Sequence, residues 1–97
     1  MPMEIKPIHT KIEKLIELRK GTVVMESPEG FPAAESNIYM LSPTGETLWK
    51  ADKPKPNSLY TKVKLNEDAS LSTFTSDGQF CELDVETGKI TSASNFR

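Results

Sequence analysis

One stretch, residues 37–51, admits little besides a single local structure. Ile38, Tyr39, Met40 and Leu41 form an unbroken run of strand formers, Pro43 to Gly45 interrupt it, and Leu48 and Trp49, the only tryptophan, open a second run. Apolar runs on either side of a Pro-Thr-Gly break define a β-hairpin. Successive strand side chains point to opposite faces, so Ile38 and Met40 share one face and Tyr39 and Leu41 the other. Both faces are apolar, which predicts a strand covered on both sides.

The flanking segments follow from where this hairpin leaves the chain. Upstream, Thr10-Lys11-Ile12-Glu13 fits a helix capping box, and Ile12, Leu15 and Ile16 fall at helical spacing. Against a helix, Ile16 and Leu18 alternate with Glu17, and Arg19-Lys20-Gly21 forms a compact turn before the β-branched run Thr22 to Met25. A second hairpin is the expected outcome. Residues 26–36 carry two prolines and a glycine and read as a long loop holding Phe31, an aromatic either tucked onto the core or offered to a partner. Residues 52–58, with Pro54 and Pro56, read as a semi-rigid connector.

Beyond the connector the pattern is β throughout. Tyr60 to Leu65 sets Val63 and Leu65 on one face and lysines on the other, and Asn66-Glu67-Asp68 forms a polar turn. Leu71 to Thr75, Phe80 to Val85 and Ile90 to Phe96 follow as strands, separated by Asp77-Gly78 and by Glu86-Thr87-Gly88-Lys89. Residues 37–51 can be laid over 79–93, with Leu41 on Leu83 and Gly45 on Gly88; Leu18 and Leu65 then both precede turns, which favours the hairpin over the helix upstream. The offset of about 42 residues lies near the ~40–45 period of four-stranded propeller blades. The prediction is an all-β domain spanning residues 1–97. It has about eight short antiparallel strands in two blade-like four-stranded meanders, pseudo-repeats about 12–52 and 59–97, packed as a small sandwich or barrel.

Residues 37–49 and 78–90, the second with its Thr87-Gly88-Lys89 turn, resemble the last two strands of a blade in quinoprotein-like β-propellers. The chain resembles more faintly small bacterial proteins of unassigned function carried on mobile gene cassettes. The first resemblance implies blade-like hairpins and nothing about chemistry, because two blades cannot enclose the central channel in which the larger proteins hold quinones or metals. No cofactor and no metal are expected.

Charge and composition narrow the partners. At 97 residues and a net charge of −2, the chain has neither a basic field for nucleic acid nor an acidic tract. Cys81 is the only cysteine, so no intrachain disulfide can form, and neither a secretory signal nor a membrane-length apolar run occurs; a cytoplasmic location is expected. His9, the only histidine, lacks a companion ligand at zinc spacing, and Cys81 in a strand reads as a small packed hydrophobe. Glu82 and Asp84 share a strand face and could serve a hydrolase-like enzyme as a carboxylate pair, although alternating acids usually mark the wet side of a sheet. Trp49 and Tyr60 flank the connector and, with Phe31, are the candidate binding residues. Trp49 could equally fill the gap between the meanders. The expected role is a non-catalytic binding or assembly module for a protein partner or a second copy, as a homodimer. An immunity-type or effector protein is a further alternative.

Overall fold

The computed structural model describes residues 7–32, 34–54, 58–68 and 70–95. Eight strands run in chain order: β1 Ile12–Leu18, β2 Gly21–Glu26, β3 Ile38–Leu41, β4 Thr47–Lys50, β5 Tyr60–Leu65, β6 Ser70–Thr75, β7 Gln79–Asp84 and β8 Ile90–Asn95. They form two four-stranded antiparallel sheets, β1-β2-β3-β4 and β5-β6-β7-β8, in which every strand pairs with its neighbour in sequence. The ambiguous opening segment is therefore a hairpin. Its β-branched partner strand decides the matter, because Ile16 pairs with Val23 and Leu15 with Val24 across a turn at Arg19-Lys20.

The two sheets share one core. Val23, Met25, Ile38, Met40, Trp49 and Ala51 from the first half pack with Tyr60, Val63, Leu71, Cys81 and Leu83 from the second. Alternation explains the membership: Leu71, Thr73 and Thr75 face inward while Ser70, Ser72 and Phe74 face outward, and Cys81 and Leu83 are inward neighbours on β7. The molecule measures 43 × 32 × 16 Å, and its short axis suits two layers about 10 Å apart. Both sheets are open, so the architecture is a sandwich and not a barrel.

The central strand β3 is covered on both faces, with Ile38, Tyr39 and Met40 all buried. Ile38 and Met40 face the second sheet. Tyr39, opposite Val24, faces the other way, and Glu26 lies on that face too, two residues beyond Val24. The residues ahead of β1 close that side: Ile8, His9 and Thr10 donate backbone hydrogen bonds to the Glu26 carboxylate.

Gly21 begins β2 where there is no room for a side chain. A Cβ there would lie 2.1 Å from the carbonyl oxygen of Leu41, and its φ of +157° is one that side chains rarely adopt. Close approach of β3 and the positive φ both demand glycine here.

Candidate functional site

The joint between the sheets is built from Trp49, Gly88, Asn37 and Tyr60. Trp49 leaves β4 toward the second sheet, and its indole Nε1–H donates to the carbonyl of Val85 at 2.9 Å. The Glu86-Thr87-Gly88 turn brings Gly88 against the ring, with φ at +73°, and a Cβ on Gly88 would fall 2.4 Å from Cε3 of Trp49. Asp52 N–H donates to the Gly88 carbonyl at 2.8 Å, fastening the chain just beyond β4 to the same turn. Lys20 and Glu86 pair at 3.0 Å across the exposed rim.

At another point of the joint, the buried Asn37 side chain does the work of a strand residue. Its Nδ2 donates to the Tyr60 carbonyl at 2.7 Å and to the Glu26 carbonyl at 2.8 Å, while its Oδ1 accepts from Tyr60 N–H at 2.8 Å. One primary amide thus satisfies both backbone groups of a residue that begins β5. The Tyr60 hydroxyl donates to the Asp52 carbonyl. Burial, with the charges of Cys81 and Asp52, raises the Tyr60 pKa far above the ordinary phenol value.

Glu26 is fully buried and accepts from Ile8 N–H at 2.7 Å, from His9 and Thr10 N–H at 3.0 Å, and from Tyr39 O–H at 2.6 Å. Burial alone would raise its pKa, but the bonds from Ile8, Tyr39, Thr10 and His9 outweigh it and hold the carboxyl below its ordinary value. Burial, together with the same carboxylate, pushes the Tyr39 phenol strongly upward. Thr10 Oγ1 adds a bond to the Ser27 carbonyl, and His9 sets its ring edge-on to Phe31 with centroids 4.9 Å apart and its Nε2 3.1 Å from Glu35.

The three aromatics singled out from the sequence are thus all interior. Trp49 and Tyr60 belong to the shared core, and Phe31 lies apart from them, beside His9. Cys81 is fully buried, and burial raises its thiol pKa. Glu82 and Asp84 share the outer face of β7. Asp84 is engaged in its own turn, accepting from Glu86 N–H at 2.9 Å. Residues 55–57 of the connector and Phe96 and Arg97 lie outside the described residues; Lys53, before the gap, donates to the Glu35 carbonyl at 3.1 Å. Glu26 and Asn37 carry the polar structure of the interior yet stand out from the sequence only as a loop residue and a strand preface.

Two open features of the surface lie close to these residues or at the end of a sheet. A groove of about 330 Å³ is lined by Leu18, Met40, Leu48 and Val85, with Arg19, Lys20 and Glu86 at its polar side. Leu48 is 49% exposed there because the β3–β4 register shifts between Met40 and Leu41, leaving it as the bulged residue. The second feature is β8, which ends its sheet: Thr91, Ser92, Ala93 and Ser94 are all exposed.

Two four-stranded antiparallel meanders fastened by an inter-sheet tryptophan define the class as an all-β sandwich. The chain belongs to the family described as a domain of unknown function, DUF7957, whose model matches residues 5–95. Neither a curated protein nor a solved structure matches it. Among the described residues no helix is long and apolar enough to cross a membrane, and no group of three or more His, Cys, Asp or Glu side chains is placed to hold a metal ion.

Proposed function

We propose that this protein is a non-catalytic assembly module that pairs with a second copy of itself through β8. The observation that carries this reading is the character of that edge. Four strands end a sheet, and three of them bear charges that oppose edge-to-edge pairing: Glu13, Lys14 and Glu17 on β1, Lys50 on β4, Lys62 and Lys64 on β5. β8, Ile90–Asn95, has neither a charged residue nor a proline. Two β8 strands meeting antiparallel about a twofold axis would join two sheets into one of eight strands and satisfy the backbone groups of both edges. The resemblance of the meanders to propeller blades supports an assembly role, since blades function by packing on their neighbours. The likeness to small bacterial cassette proteins and a cytoplasmic setting belong to the same reading.

Sedimentation equilibrium tests it between roughly micromolar and millimolar protein, the range where modest interfaces form and dissociate. A monomer–dimer equilibrium is expected. Ala93→Pro, which removes a strand donor, and Ser92→Lys, which sets a charge on the edge while leaving the backbone intact, should both shift it to monomer. Monomer mass throughout, or a dimer indifferent to Ser92→Lys, would overturn the reading.

A further inference from the structure

The edge of the second sheet opposite β8 has a different chemistry. β5 borders a groove of about 390 Å³ lined by Lys14 and Met25 from the first sheet and by Thr61, Lys62, Val63, Lys64, Ser72 and Phe74 from the second, with Glu13 at the rim. Lys62 and Lys64 project from one face of β5 and lie in register with Phe74 and Ser72. Lys14 pairs opposite Met25 and so reaches the groove from the core-facing side of the first sheet. Among the described residues none of these three lysines has an ion pair, whereas Glu13 is drawn to Lys11 at 3.9 Å. A protein of net charge −2 thus gathers three lysines around one groove, two on β5 and one on β1, with Glu13 beside them.

β5 is already extended by one residue. At Tyr60 the outer N–H and C=O are taken by the Asn37 amide, arranged as the backbone of an adjoining strand would be. The rest of β5, from Thr61 to Leu65, has β6 as its only strand partner. Its far side therefore presents further backbone groups, which begin beyond the bulge between Tyr60 and Lys62.

We infer that this edge receives an acidic peptide in extended form. The peptide adds to β5 beyond Asn37, its backbone pairs with the open edge, alternate carboxylates lie against Lys62 and Lys64 on the face that carries Phe74, and the intervening side chains turn to the face of Val63, where an acidic one meets Lys14. Strand addition supplies affinity without sequence demands, and the lysines select for negative charge. This surface is separate from β8 and independent of self-association.

The test uses an end-labelled eight-residue peptide alternating glutamate with threonine and valine, titrated with the full chain and followed by fluorescence anisotropy. Saturable binding is expected, weakened about tenfold by the Lys62→Glu, Lys64→Glu double variant and several-fold by Lys14→Glu, and weakened by added salt. A peptide of equal charge with prolines at its two central positions should bind at least tenfold more weakly, since proline removes the donors that strand addition needs. The lysines are exposed, and unchanged tryptophan fluorescence of the variants establishes that they fold. No saturation up to millimolar protein, equal binding of the proline peptide, or tighter binding of a thymidine oligonucleotide of equal charge would each overturn the inference. Sedimentation of the same samples separates loss of peptide binding from loss of the β8 dimer.

Discussion

The indole of Trp49 fills the space that a side chain on Gly88 would need, with Cε3 2.4 Å from where the Cβ would stand. The turn that carries Gly88 belongs to one sheet and the tryptophan to the other, so this pair sets how closely the sheets approach. Gly88→Ala is expected to destabilise by on the order of 1–3 kcal/mol, through overpacking and through the positive φ. Trp49→Ala should cost about 3–5 kcal/mol. The two losses should not add, because the alanine at 88 has nothing to strike once the ring is gone; a double-mutant cycle by urea denaturation measures the coupling.

Glu26 should give the protein an acid-sensitive stability. Its pKa is lowered in the folded state, so on acidification the unfolded chain takes up the proton first. The stabilisation is fully present above the unfolded carboxyl value and is lost as pH falls through the folded one. Denaturation midpoints from pH 7 down to 2 should show this loss, and Glu26→Gln should remove its share of the slope while costing on the order of 2 kcal/mol at pH 7. Tyr39→Phe, which deletes one of the four donors, should cost about 1 kcal/mol. Amide exchange at Ile8, His9 and Thr10 should quicken in both variants.

Gly21→Val tests a space limit. Its φ of +157° already strains any side chain, and the Leu41 carbonyl oxygen would lie 2.1 Å from the Cβ. Because that atom is backbone in the neighbouring strand, β2 and β3 must separate to admit a side chain. A loss of about 2 kcal/mol or more is expected, and Gly21→Ala should recover little of it. An alanine variant as stable as the parent would contradict the geometry.

Cutting the chain between residues 54 and 58 should leave two fragments without cooperative structure. Each sheet has one inner face that the other covers, since the shared core draws Val23 and Ile38 from one side and Leu71 and Leu83 from the other. Mixing the fragments should restore a melting transition detectable by circular dichroism. A fragment that melts cooperatively alone would show that the halves are separate folding units.

The strands were legible where side chains speak for themselves. Ile38 to Leu41, the Asp77-Gly78 break and the alternation of Leu71 and Thr73 report local geometry, and each became a strand or a turn as read. Glu26 was not legible as a buried group. Polarity assigned it to the loop, and of the four donors that make its burial tolerable three come from residues 16 to 18 positions earlier and one, Tyr39, from 13 positions later. The same holds for Trp49, whose partner carbonyl at Val85 is 36 residues away. Both surroundings exist only after the sheets form, and period-two reasoning sees one strand at a time. Leu48 was obscured differently, since a bulge changes which face a residue takes and leaves no mark in composition.

Pairing each strand only with its neighbour in sequence has a kinetic side. Apart from residues 27–37 between β2 and β3, no long loop has to close before a hairpin bond can form, so most of the remaining closure entropy falls on one event, the meeting of residue 37 with 60 and of 49 with 88. The search for the native state divides into short-range zipping within each half and a single encounter between halves. The only indole in the chain stands where they meet. Its emission is a built-in clock for that encounter, distinct from any signal of strand formation.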